Sequence, residues 1–549
     1  MSLISLRRAR PLAPPALLWL TGVSLVLVAS PAFAGGGLET FTLPAPAPGQ
    51  GLYFGDLQAT FPDVAWDTLD RLYLPAGHWS ALLLGNLPSR SADRPLVITN
   101  LGGQVKIGGL GAGSHAILII GGSHWRLTGE FNPAAATGDT NYRGHRGGYA
   151  HSAGSYGIYI DDAFESTGDS GLAVAGGATD FEIDFLEITR VGFAGALIKT
   201  DDQGDAHMSN VSFHDNYVHD TGSEGLYFGS TQSPPQHKFP NLKIYNNRIL
   251  RTGTEAIQLG QIGLGSEIHN NVILFGALDW KNPFQPFQDN AGQFGVREGD
   301  VSFHHNILIG GATSYFQFFP QPRDDDTHLP GDEITFHDNY FSHSRNFGAY
   351  LHAQSDMVTE FVFRDNFYRE VNFHYTELDP AANDRDTVFL TFNSASPMLF
   401  DANTWAGGVS LVAGNAPLSV ETDNVNVPTL DPVIFMDSGF PPDFDYHLLE
   451  FWTDVDRFGA AVNFAVGDYV IEGGEPGGGT LYRCFQAHTN RRPSSNPAFW
   501  EVVPAPADDV RLDPSSPFQG MGLLDTGSQI FSDDFESGTF DFWSAVVQQ

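Results

Sequence analysis

Between residues 180 and 378 the chain repeats one short pattern: apolar residues alternate with polar ones, an asparagine follows, and a glycine-rich joint closes the unit. The stretches Phe181–Ile188, Val211–Val218, Leu242–Ile249, Val301–Leu308, Ile334–Phe341 and Phe361–Tyr368 align on this pattern, and Ser266–Ile273 joins them with a weaker first residue. Alternation with period two predicts a short strand with its apolar side chains inward. Joints such as Thr221-Gly222 and Thr252-Gly253 separate it from a second short strand. Short strands joined by loops of unequal length predict a parallel solenoid, whose coils stack about 4.8 Å apart so that equivalent positions form ladders. The inward ladder is Ile183, Phe213, Ile244, Ile268, Phe303, Phe336 and Phe363, and a second ladder is Asn216, Asn247, Asn271, Asn306, Asn339 and Asn366. The asparagines are expected to sit at a tight left-handed bend and to bond the coils above and below, a structural duty.

These units, each followed by a Gly-rich bend, resemble the right-handed parallel β-helix superfamily. That superfamily includes pectate lyases, polygalacturonase-type hydrolases, alginate and chondroitin lyases, and phage tailspikes. Upstream, Arg94–Gly103 and Ala116–Gly129 resemble first coils of such helices. The resemblance implies an all-β fold and an action on polysaccharide, but it names no substrate.

A different pattern begins at Phe464–Ile471 and continues through Leu481–Asn490 and Pro497–Val503. It resembles the chitin-binding type 3 carbohydrate module (families 5 and 12): Gly-Asp-x-Val, then Tyr-x-x-x-x-Ala-His-Thr, then Pro and Trp. Glu472–Gly479 lengthens a hairpin that is usually tight there. Sugar rings pack on flat apolar faces, which Tyr469, Tyr482, Phe485 and Trp500 offer, although such rings also form the core of a small domain. The predicted organisation is a signal peptide over 1–34, a β-helix over 38–450, the module over 453–504, a closing segment over 507–530 and a tail over 531–549. The module is either inserted near the end of the helix or appended to it. Cys484 reads as a small buried hydrophobe.

Composition adds the address. Arg7, Arg8 and Arg10 precede an apolar run from Ala16 to Ala29, and Ala32-Phe33-Ala34 supplies a small-x-small cleavage site, so the protein is expected to be secreted. No later stretch has the 18 apolar residues of a membrane span. The net charge of −36 becomes −39 on removal of those arginines. The excess of 64 acidic over 28 basic side chains argues against nucleic-acid or anionic-membrane partners. One cysteine excludes an intramolecular disulfide framework, and a monomer is expected.

Glu224 and Glu255 occupy equivalent positions in adjacent coils, with backbones expected about 4.8 Å apart. Two carboxyls that close cannot both ionise freely, so one is poised as a general acid, and glycoside hydrolysis needs such a pair. Asp201, Asp202 and Asp205 lie in the preceding coil. The paired Asp201-Asp202 resembles the acidic cluster of polygalacturonase-type hydrolases, whose surrounding motif is absent. The same carboxylates also suit a capped turn or Ca²⁺, so no cofactor is required and Ca²⁺ is the alternative occupant. A further outward ladder, His214, Tyr245, His269, His304 and His337 closed by Arg364, offers sugar contacts, a base or a metal site, or simply covers a solvent face. No two of these sit in a recognised metal motif, and no metal ligand is assigned. Tyr227 is a further substrate contact, and Arg190 and Arg251 could neutralise a uronate or serve charge balance. The acidic loop Asp324–Glu333 reads as an exposed loop, with Ca²⁺ chelation as the alternative.

The leading expectation is a secreted glycoside hydrolase on a neutral glycan, with Glu224, Glu255, Asp201 and Asp202 catalytic and the module tethering it to insoluble, chitin-like glycan. A polysaccharide lyase on the same fold and a non-catalytic adhesin are the alternatives. The acid excess disfavours polyanionic substrates.

Overall fold

The computed structural model describes residues 38–111, 114–130, 156–201, 207–231, 236–283, 288–310, 313–320, 332–352, 360–372, 386–392, 396–440, 444–446, 449–472 and 479–524. The expected signal peptide, the tail over 531–549, Asp202, Asp205 and most of the acidic loop lie outside these residues. The chain divides into two compact units, Met1–Leu38 and Glu39–Gln549, and the architecture is that of the second.

It is a parallel β-helix with three strands per coil. The repeat beginning at Val211 shows the plan. Val211–His214 lies on a first face, Tyr217–Thr221 on a second and Leu226–Phe228 on a third. The first two faces merge into one 23-stranded sheet, because the long strands Arg71–Trp79 and Leu96–Ile107 pass from one to the other. The third is a separate 12-stranded sheet.

Register follows the sequence alignment: Ile183, Phe213, Ile244, Ile268, Phe303, Phe336, Phe363 and Phe400 are direct partners from coil to coil. All eight are buried. The last four rings stack face to face, with centroids 4.5, 5.1 and 5.2 Å apart. Each buried ring contributes about 1.5–3 kcal/mol of transfer free energy.

The asparagine ladder forms and extends two coils further, to Asn403 and Asn424. Asn247 shows the repeat. Its Oδ1 accepts the Asn216 backbone N–H at 3.0 Å, and its Nδ2 donates to the Phe213 carbonyl at 2.9 Å and to Asn271 Oδ1 at 3.0 Å. One expectation is corrected here. The left-handed residue is the one before each ladder asparagine: Asp215, Asn246, Asn270, His305, Asp338 and Asp365 have φ between 52 and 57°. The ladder asparagine supplies bonds while its predecessor supplies the bend.

The outer side of the second face is covered. Residues from the C-terminal region, among them Val433, Tyr446, Val510, Phe518 and Leu523, pack on Tyr217, Leu250, Leu274, Ile309 and Tyr340. The 453–504 region contains Tyr469–Glu472, Thr480–Cys484 and Trp500–Val502 in a sheet whose remaining strand, Leu449–Phe451, precedes it. The segments flanking it, Phe435–Asp437 and Asp509–Leu512, pair with each other. No described helix is long and apolar enough to cross a membrane.

Candidate functional site

The bend between the second and third faces holds Glu224 and Glu255 in adjacent coils. Thr221 pairs with Thr252 before them and Leu226 with Ile257 after them, and Gly225 N–H donates to the Glu255 carbonyl at 3.0 Å. Both side chains are shut from solvent, at 1% and 0% exposure. Gln288 Nε2 donates to Glu224 Oε1 at 3.0 Å. Glu224 Oε2, both Glu255 carboxyl oxygens and Gln288 Oε1 are buried with no hydrogen-bond partner among the described residues. Burial pushes the Glu255 carboxyl well above its ordinary range, and the neighbouring Glu224 and Asp289 push it further. Burial raises Glu224 as well, while the Lys199 charge and the Gln288 amide restrain it. Burial therefore holds both acids toward their protonated form.

Beside this pair the third face presents Lys199, Tyr227 and Gln258. Lys199 Nζ pairs with Asp201 Oδ2 at 2.8 Å and lies 4.4 Å from the centre of the Tyr227 ring. The Tyr227 hydroxyl and Gln258 Nε2 both meet Thr231 Oγ1 at 2.8 Å. Asp201 Oδ1 and Gln258 Oε1 are two more buried oxygens with no partner among the described residues. A buried polar atom left unpaired forfeits its hydration, roughly 1–3 kcal/mol, and so calls for a functional or ligand-bound explanation. Six such oxygens belong to this stretch of bend and face.

The predicted ring ladder on the first face forms as a continuous stack. Centroids of His214, Tyr245, His269, His304 and His337 are 4.4, 5.0, 4.9 and 4.8 Å apart, with planes within 9° of parallel. Ring faces are spent on one another, which leaves ring edges for other contacts. At its start His214 meets Asp215 at 2.7 Å and Glu182 at 2.9 Å. Arg126 bonds Asp184 and lies 3.2 Å from Glu182. Burial alone would lower His214, but the two carboxylates outweigh it and hold it at about 9. Burial beside Glu182 pushes Asp184 up to about 7, against the pull of Arg126. Sequence reading passed over Arg126, Glu182 and Asp184. The readable signal was alternation, which sends Glu182 and Asp184 out on the same side of one strand.

Arg251 lies in neither group. It is 2% exposed and grips Asp220 at 2.8 and 3.0 Å and Asp508 at 2.7 Å through each of two nitrogens. The closing segment after 504 supplies Asp508, so this guanidinium is fully engaged in fastening the C-terminal layer and does not face a groove. Arg190 likewise grips Asp161, at 2.9 and 2.6 Å. In the C-terminal region Trp500 is core, at 3% exposure, and its indole N–H donates to the Arg491 carbonyl at 2.7 Å. Tyr469 packs on Phe440 and Phe444, Tyr482 is half-buried, and Phe485 is 45% exposed.

No family model matches the sequence, and no curated protein matches it. Among solved structures, the chain is similar to an alginate lyase from Paenibacillus sp. at 15% identity and a TM-score of 0.36, covering 69% of this chain and 99% of that one. It is similar to the A-module of a mannuronan C-5 epimerase from Azotobacter vinelandii at 11% identity and a TM-score of 0.38, covering 66% and 91%. A pectate lyase aligns at 9% identity and a TM-score of 0.28, covering 71% and 83%.

Proposed function

We propose that the protein is a secreted polysaccharide-degrading enzyme that hydrolyses a neutral glycan at the Glu224–Glu255 bend. The observation that carries this reading is the adjacent pair of buried carboxyls, both raised by burial, whose oxygens lack partners among the described residues. Glu255 gives its proton to the glycosidic oxygen as the bond to the leaving sugar breaks. Glu224, ionised beside Lys199, attacks the anomeric carbon from the other side. Glu255, now a carboxylate, then takes a proton from the water that releases the glycosyl group. Coil spacing of about 4.8 Å matches the roughly 5 Å carboxyl separation of retaining enzymes. Entry requires Gln288 to leave Glu224. The chain charge of −36 favours a neutral substrate over a polyanion. Phe485, exposed on the C-terminal module, is the proposed contact with insoluble glycan.

A panel of polysaccharides tests this. Purified protein should release reducing ends, and E224Q and E255Q should each lose roughly 10²–10⁴-fold in rate while remaining folded. Full activity in both variants would overturn the site, and absence of any product would favour an adhesin.

A second reading rests on the same unpaired oxygens. Glu224, Glu255 and the Gln288 carbonyl are hard donors that suit Ca²⁺, and a bound cation at this bend would favour β-elimination on a uronate. Unsaturated, ultraviolet-absorbing ends whose formation stops on chelation would select it.

A further inference from the structure

The first face carries a second cluster, remote in chemistry from the carboxyls above. His305, His337 and Asp338 each offer one ligand atom, and these atoms lie within 4.8 Å of one another. His304 pairs with His337 across adjacent coils, so the next residues, His305 and Asp338, are neighbours at the left-handed bend, with φ of 54° and 53°. The His305 backbone N–H donates to the His337 carbonyl at 3.3 Å. Three ring contacts hold these side chains. His337 is stacked on His304, and His305 stands edge-on to both, at 86° to each plane, with centroids 5.1 and 5.8 Å away. Asp338 Oδ2 lies 2.8 Å from His337 Nδ1. All three side chains are half-buried, so an ion can reach them. Arg364, the next residue along the ladder, is turned to Asp401 at 3.3 Å.

We propose that His305, His337 and Asp338 form a binding site for a borderline divalent transition ion, Zn²⁺ being the best fit. Two imidazoles and one carboxylate are the donors such ions prefer, and three protein ligands leave a fourth position for water. Ca²⁺, which takes six or more oxygens, does not fit this set. The other acid–histidine group on this face, Glu182, Asp184 and His214, is a poorer candidate because the Arg126 guanidinium already bonds both carboxylates. An ion at His305, His337 and Asp338 would clamp the coil beginning at Val301 to the one beginning at Glu333.

Titration calorimetry of the untagged full chain with ZnCl₂, backed by the visible spectrum of the Co²⁺ form, tests the site. H305N and D338N are suitable variants because asparagine fills the same left-handed position at Asn246 and Asn270, so the bend survives. One Zn²⁺ per chain is expected, with a tetrahedral Co²⁺ spectrum and a raised unfolding temperature. Each variant should weaken binding by at least the roughly 10–100-fold that loss of an outer-shell partner costs, while H269N should bind as the parent does. Zinc affinity unchanged in H305N and D338N, or no binding by the parent chain, would overturn the proposal. A six-coordinate Co²⁺ spectrum would overturn the assigned donor set.

Discussion

Two buried clusters of charge, a few residues apart in sequence, are built to opposite rules. On the second face Arg251 is matched on both sides, by Asp220 and Asp508, and His219 closes the set at 2.6 Å from Asp220. At the neighbouring bend Glu224 and Glu255 are as deeply buried, yet three of their four carboxyl oxygens have no partner among the described residues. Burial is common to both, so burial by itself says nothing about function. What separates them is satisfaction: a buried charge with every lone pair met fastens the fold, and one left unmet awaits a proton, an ion or a substrate.

The largest expected effect lies on the satisfied side. Arg251→Ala leaves Asp220 and Asp508 buried without their cation and should cost about 3–5 kcal/mol, measured by urea unfolding. A loss below about 1 kcal/mol would dissolve the contrast. Next comes the asparagine ladder, where Asn339→Ala strips bonds from the Asn306 N–H and the Phe303 carbonyl, at about 1–3 kcal/mol for each buried group left unmet.

The clusters should also respond oppositely to pH. Burial would raise Asp220, but Arg251 and then His219 outweigh it and hold its carboxyl low. Its contribution is therefore present above its unfolded value, about 3.9, and is lost as pH falls. Glu255 is raised, so its contribution is complete below its unfolded value, about 4.3, and is lost as pH climbs through the folded value. In chelator-treated buffer, Glu255→Gln should gain on the parent chain by about 1.4 kcal/mol for each pH unit between the unfolded value and that folded value, and by nothing further above it. Parallel unfolding profiles for the two would remove the raised proton affinity assigned to the buried Glu255 carboxyl. Smaller still, Tyr227→Phe loses one hydrogen bond, about 0.5–1.5 kcal/mol. Phe485→Ala should stay within about 0.5 kcal/mol and lose retention on insoluble glycan. Deleting 453–504 would be a blunter test, because Tyr469 packs on Phe440 and Phe444 outside it, and Arg457 pairs with Asp289 at 3.0 Å.

Much of the fold was legible because a solenoid converts sequence repeats directly into spatial neighbours. Aligning Val211–Val218 with Leu242–Ile249 is the same act as stacking them, so the phenylalanine core, the asparagine ladder, the ring stack and the adjacency of Glu224 and Glu255 could be read from one chain. The left-handed residue was misplaced by one position because sequence marks both Asp215 and Asn216 as bend formers, and only the backbone separates bend from bond. Charge balance was a readable duty for Arg251, but its second partner was not. Its partner Asp508 is 257 residues away, and no repeat encodes that distance. The sequence alone determined which residues of successive coils lie side by side, since local alternation and repeat length settle that. Only the tertiary structure decided which outward positions are covered and which buried charges are met, because both depend on the return of a distant, non-repeating segment over one face of the helix.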